Sequence, residues 1–274
     1  MESHGGLLRS DGVVDRTYAW KPLDGTVELA LATAARERAR PEAVSQALAG
    51  ALALLDGEPA TRERVDALSV PERRVLMIEL AQALAASFLR STHACEDCGK
   101  PFHISLDLAR LPLYPDGPCE ASAVIATTAG RVRVRVPTGA DQIRISHLDD
   151  DISALRLLVA LCMAPAGDQP ASDLAAQFSA EDFAAVDAAL EDLTPNIPWA
   201  AEACCPECRH LNIILIDAAA WLAEMADGPT DDVHEIAMAY GWSERDILAL
   251  TRTHRLKYLA LIRGGSGDMQ AHRS

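Results

Sequence analysis

The sequence predicts a helix-rich α+β protein, and three observations predict it. Apolar residues recur at helical spacing towards both ends of the chain. Between them lie short alternating runs that read as strands. Two Cys-x-x-Cys pairs, more than a hundred residues apart, each precede such a strand.

Taken in order, residues 1–17 are polar, carry Gly5, Gly6 and Gly12, and read as a flexible arm. Residues 18–92 form a helical region. Periodicity runs from Val27 to about Arg38, and Pro41 opens a second helix with Val44, Leu48, Leu52 and Leu55 on one face, stopped by Gly57. Ser69 and Glu72 form a capping-box pair. The helix they open carries Leu76, Leu80, Leu84 and Phe88 or Leu89 inward and ends just before Cys95. Phe102, Ile104, Leu106 and Leu108 then alternate with His103, Ser105 and Asp107, the signature of a half-buried strand. A proline-rich loop, 111–118, leads to a hairpin built from Val124-Ile125, Ala129-Gly130 and Arg131 to Val136. Asp149 to Asp151 suit the positive end of a helix reaching Met163. Ser172 and Ser179 each cap another, the latter with Asp182 at its third position, and Pro195 and Pro198 end the helical run. Leu211 to Ile216 is a short buried strand, so residues 93–217 make one region whose second cysteine segment is 204–217. Residues 218–263 are helical again: Asp217 caps a helix to about Asp227, Asp231–Tyr240 is the next, and Ser243 with Asp246 opens a last one to Ile262. Residues 264–274 are a disordered tail by composition.

The chain has 274 residues, 49% hydrophobic but only 4% aromatic; alanine supplies much of the apolar count, as expected of helices packed closely through small side chains. Lys plus Arg is 25 and Asp plus Glu is 40, a formal charge of −15 that repels phosphate backbones and makes nucleic acid an unlikely partner. No apolar stretch is long enough for a membrane helix, and Met1 to Asp15 lacks the apolar core of a signal peptide. The expectation is a cytoplasmic protein, or one carried within an assembled particle. Seven cysteines in such a chain do not read as a disulfide framework.

Their spacing reads as a metal site. Cys95-Glu-Asp-Cys98-Gly99 and Cys205-Pro-Glu-Cys208 supply the four thiolates of a tetrahedral zinc site, because two intervening residues let a tight turn aim both sulfurs at one ion. Each pair precedes a strand, as in the halves of a zinc ribbon. The prediction is therefore a split ribbon, with a β-hairpin and helices inserted between its knuckles and a structural Zn2+ ligated by Cys95, Cys98, Cys205 and Cys208. Two unrelated pairs, or redox or iron–sulfur chemistry, are the competing readings. Cys204 offers another register beside Cys205, and His93, His103 and His210 flank the knuckles, although each reads first as a surface histidine. Cys119 and Cys162 look like ordinary small residues. Four thiolates leave no open position for substrate, so no catalytic residue and no small-molecule substrate are expected. His234-Glu235 begins a metalloprotease motif, but Met238 stands where its second histidine belongs.

Two basic features remain. Arg131, Arg133 and Arg135 share a strand face and read as a solvated stripe or a docking surface. Arg252, Arg255, Lys257 and Arg263 lie on the last helix, where they make either a nucleic-acid-reading element or a helical hairpin with basic residues at a helix C-terminus.

Five segments in order carry a family likeness: Tyr18 to Ala32 (YAWKPLDGTVELALA), the helix running to Cys95-x-x-Cys98-Gly99, Val134 to Asp141 (VRVPTGAD), Cys205-Pro-x-Cys208, and Val233 to Leu250 (VHEIAMAYGWSERDILAL). Together, over roughly residues 18–263, they resemble the T-even-phage-type baseplate protein family of phage tails and extracellular contractile injection systems. The Gly-Trp-Ser segment also looks like tail-assembly chaperones of phages. The resemblance implies a structural or assembly role at a baseplate, other baseplate or tail proteins as partners, and the same four cysteines as metal ligands. Cys204 and the loop at 111–118 depart from the pattern. The alternative is a zinc-ribbon adaptor or regulator that binds nucleic acid or protein through its basic last helix.

Overall fold

A computed structural model describes residues 3–5, 16–37, 40–85, 88–113, 122–165, 177–194, 197–220 and 228–271. The fold is α+β, as predicted, with small antiparallel sheets set among helices.

The first sheet takes residues expected to be irregular or helical. Strand β1 (Ser3–Gly5) pairs with β2 (Arg16–Trp20), so both ends of the expected arm are in a sheet. Helices α1 (Gly25–Glu37) and α2 (Arg40–Ala51) follow. The second was expected to reach Gly57, but it stops because Lys21 takes its last carbonyls: the Lys21 amide donates to Ala51 O at 2.8 Å and its Nζ to Gly50 O at 2.8 Å. Leu52–Leu55 becomes β3 instead, pairing with β2 and, through a turn at Asp56 and Gly57 with φ of 53° and 75°, with β4 (Glu58–Pro59). Aspartate then glycine at positive φ is what a two-residue hairpin turn demands.

Helix α3 (Arg62–Asp66) leads to α4 (Val70–Ala85), the centre of the main core. The capping box forms as predicted, Ser69 N donating to Glu72 Oε2 at 2.6 Å and Glu72 N to Ser69 Oγ at 3.3 Å. Val75, Leu76, Ile78, Leu80 and Ala81 are all buried, a helix surrounded rather than one-sided. Tyr18, Leu31, Leu48, Leu52, Leu55 and Leu68 close around it, and Ile197, Ile216 and Ala218 join from far down the chain.

Helix α4 ends at Ala85, not beside Cys95. Residues Phe88–Ala94 form β5, which pairs along its length with β6 (Pro101–Asp107), and Phe88 lies half exposed instead of in the core. The chain next enters a lobe with its own core. There β7 (Ser122–Thr127) and β8 (Gly130–Arg135) make the predicted hairpin, extended by β9 (Met163–Pro165); α5 (Gly139–Ile145) ties the lobe to the main body, Gly139 N donating to Leu68 O at 2.9 Å, and α6 (Asp151–Cys162) and α7 (Ala180–Leu193) complete it. Val132, Val134, Val159, Met163 and Val186 form this lobe's own core. Asp150 and Ser179 cap α6 and α7; the Asp182 carboxylate accepts from Ser179 N, Ser179 Oγ, Thr128 N and Thr128 Oγ1, pinning the helix start to the β7–β8 turn and holding its pKa down at about 2. Ser172, Cys119 and most of the proline-rich loop lie outside the described residues.

Strands β10 (Ala200–Cys204) and β11 (Leu211–Leu215) return the chain to the main body. Asp217 accepts from Ala220 N at 2.9 Å, but the helix expected beyond Ala220 lies outside the described residues. Helices α8 (Gly228–Tyr240), α9 (Glu244–Leu248) and α10 (Arg252–Ala271) end the chain around Ile236, Ile247 and Leu259. The single helix expected from Ser243 to Ile262 is thus two, broken where Gly25 N donates to Leu250 O and Asp24 bridges Thr251. The second runs through Gly264 into the expected disordered tail, although glycine disfavours helix by about 1 kcal/mol relative to alanine.

Candidate metal centre

Each Cys-x-x-Cys pair is the turn of a hairpin, and the two hairpins meet tip to tip. In the first, Cys95 N donates to Lys100 O at 3.0 Å and Gly99 N to Cys95 O at 2.9 Å; in the second, Cys205 N donates to His210 O at 2.9 Å and Arg209 N to Cys205 O at 3.0 Å. The fourth residue after each leading cysteine sits at positive φ, 69° for Gly99 and 66° for Arg209. One knuckle geometry is thus built twice. Phe102 and Ile214 pack beneath the sulfurs, with Ile104 and Ala203 beside them.

This construction gathers Cys95, Cys98, Cys205 and Cys208, whose Sγ atoms all lie within 4.8 Å of one another. Cys95 and Cys208 are 3.6 Å apart and Cys98 and Cys205 3.8 Å. Sulfurs placed tetrahedrally about 2.3 Å from an ion stand about 3.8 Å apart, whereas a disulfide needs about 2.05 Å. All four thiols are free, and their spacing suits a shared ion.

The electrostatics agree. The Cys98 backbone N–H, and then that of Asp97, favour the Cys95 thiolate and draw its pKa down to about 6, with help from the Cys208 and Asn212 side chains. Cys208 accepts from the His210 amide, yet burial and the crowding of Cys95, Cys98 and Cys205 push it up to about 12. Four thiolates this close repel one another, and a bound cation reverses that balance.

Asn212 is the residue that sequence reasoning missed. It is 2% exposed, and its Oδ1 accepts from Glu96 N in the opposite knuckle at 3.0 Å. Its Nδ2 donates to His210 O at 3.0 Å and approaches Cys95 Sγ at 3.8 Å. An asparagine inside the apolar run Leu211 to Ile216 was the available signal. Lys100 and Glu207 add an ion pair across the knuckles at 2.7 Å, both largely exposed.

The other candidates stay apart. Cys204 is exposed at the end of β10, His93 pairs with Ser91 and His103 with Thr92, and none belongs to the cluster. Cys162 is buried in the inserted lobe, where burial pushes its thiol up to about 12. Of the strand arginines, Arg135 binds Asp141 at 2.7 Å and Leu161 O at 2.8 Å, while Arg131 and Arg133 are exposed. On the last helix, Arg255 is fully buried, bonded to Glu28 at 2.8 Å and Asp232 at 3.2 Å. Arg252 also reaches Glu28, at 3.2 Å, and Arg263 binds Glu235 at 2.8 Å. Gly25 permits this packing, since a Cβ there would stand 2.7 Å from Arg255 Nη1. No described helix is long and apolar enough to cross a membrane.

Comparison with protein-family models, curated proteins and solved structures finds no match for this chain.

Proposed function

We propose that this chain is a non-enzymatic component or assembly factor of the baseplate of a phage-tail-like contractile injection system, held in shape by one structural zinc ion. The carrying observation is the four-sulfur cluster that joins two hairpins over 113 residues of sequence. Zinc is the ion that an all-thiolate tetrahedron at this spacing suits best, and four protein ligands leave it no site for substrate. It clamps the two ends of the inserted lobe to the main body. The baseplate assignment is supported by the ordered motifs at 18–32, 95–99, 134–141, 205–208 and 233–250. Against a nucleic-acid-binding adaptor stand the charge of −15 and the pairing of Arg252, Arg255 and Arg263 with acids.

Two measurements test this. Elemental analysis of protein purified without added metal should return about one zinc per chain; iron with visible absorption, or no metal, overturns the zinc assignment. Mass spectrometry of injection particles and their assembly intermediates should find the protein with other baseplate or tail subunits. Its absence from both overturns the baseplate assignment.

A further inference from the structure

Between the main core and the inserted lobe lies a cleft whose floor holds two guanidinium groups short of partners among the described residues. Arg73, on α4, is 2% exposed. Its Nη2 donates to Pro41 O at 2.6 Å and its Nη1 stands 3.8 Å from Asp66 Oδ1, but Nε and Nη1 have no hydrogen-bond acceptor among the described residues. It packs so closely on α5 that a Cβ on Gly139 would stand 1.3 Å from Nη1. Arg74 reaches Ile216 O at 3.4 Å, and its buried Nε has no acceptor among the described residues.

Arg74 lines two adjoining cavities, of about 320 Å³ and 670 Å³, which share Val70, Gln142 and Trp199. Val44, Met77 and Ile78 wall the smaller, where Arg73 also sits; Val136, Ile145 and Leu158 wall the larger. Trp199, 59% exposed, borders both. Among the acids in these walls, Asp217 is already held by Arg40 at 2.5 Å, and Glu191 lies on the exposed side of α7.

A buried cation without a matched anion is costly, and arginine cannot shed its proton near neutral pH. Burial pulls Arg73 down to about 10, with Asp66 opposing, and pulls Arg74 down against Asp217. A volume of this size suits a small ligand or a short chain end. Guanidinium N–H groups match a carboxylate, apolar walls match an apolar body, and Asp217 with Glu191 disfavours a dianion.

We propose that this cleft binds a carboxylate carried on an apolar body, with Arg74 donating to the carboxylate, the buried Arg73 charge behind it favouring an anion, and Trp199 covering the body. The site is independent of the metal centre and of the baseplate assignment. Free apolar acids and the C-terminal carboxylate of an apolar peptide share this chemistry.

Titration calorimetry on the full, metal-loaded chain tests it with three probes: octanoate, the peptide Ala-Ala-Leu-Val-Leu with a free C-terminus, and the same peptide as its C-terminal amide. At least one carboxylate probe should saturate, the amide should bind about tenfold or more weakly than the acid peptide, and Arg74→Gln should weaken the carboxylate probe about tenfold with its melting temperature kept. Trp199→Ala, at an exposed position, supplies a second variant and should weaken the same probe. Preference for the peptide assigns the site to a partner's chain end; preference for octanoate assigns it to a free acid. No saturation by either carboxylate, equal binding of amide and acid, equally tight inorganic phosphate, or unchanged affinity in both variants overturns the proposal.

Discussion

With Cys95 laid over Cys205, the hairpin β5–β6 places Gly99 over Arg209 and Phe102 over Asn212. The residues whose sulfurs and amides face the cluster agree; behind it Ile104 matches Ile214, but Phe102 and Asn212 differ. Positive φ recurs with glycine on one side and arginine on the other, so the knuckle dictates the backbone and the side chain tolerates it. Phe102 fills space beneath the sulfurs, whereas Asn212 bonds across to the other knuckle. The outer faces differ as well. Thr92 and His103 bond each other on the first hairpin, while Leu211, Ile213 and Leu215 point outward from the second. The knuckle geometry fixes the few atoms around the sulfur cluster and leaves each hairpin free to meet its own surroundings.

Substitutions can break that comparison, and the largest effect belongs to the sulfurs. Cys98→Ser or Cys208→Ser should each abolish stoichiometric zinc and leave insoluble or partly unfolded protein, since structural zinc contributes on the order of 10 kcal/mol in small peptides. Cys204→Ser should keep one zinc and melt within about 2 °C of the parent, as surface substitutions do. Metal lost from Cys204→Ser and retained by a Cys205→Ser variant would put the register at the wrong cysteine.

Beneath the sulfurs, Phe102→Ala should cost about 3–5 kcal/mol in denaturant unfolding, as buried aromatic truncations do. Asn212→Ala should cost about 1–3 kcal/mol, because it leaves the Glu96 amide without its acceptor. The reverse order of cost would show the two sites to be packed alike. Smallest is the backbone pair. Gly99→Val should cost about 1–2 kcal/mol for a branched side chain at positive φ, while Arg209→Gly should be neutral or stabilising by under about 1 kcal/mol. If Arg209→Gly destabilises by more, the Arg209 side chain itself supports the knuckle.

Much of this was legible in the sequence, and the misses share a cause. Cysteine spacing identified the four residues brought together, and the pattern of caps placed Ser69, Asp150 and Ser179 at helix starts. The strands leading into the knuckles were hidden. Ala200 to Cys204 is rich in alanine, a helix former, and Phe88 to Ala94 continued the preceding helical spacing; each becomes a strand because the knuckle folds it back on its successor. Leu52 to Leu55 was lost in the same way, with Gly57 read as a helix stop when the positive φ values of Asp56 and Gly57 make a hairpin turn. Asn212 stayed invisible because its partner, Glu96, lies 116 residues away.

That separation also sets a clock. The cysteines on opposite knuckles stand up to 113 positions apart, and chains grow at about 5–20 residues per second. Once Cys98 has been made, the ribosome works for on the order of 10 s before Cys205 and Cys208 follow. Through that interval Cys95 and Cys98 wait without the two sulfurs that complete the cluster. On the proposed zinc assignment, metal capture comes late in this protein's synthesis, once the second knuckle has been made.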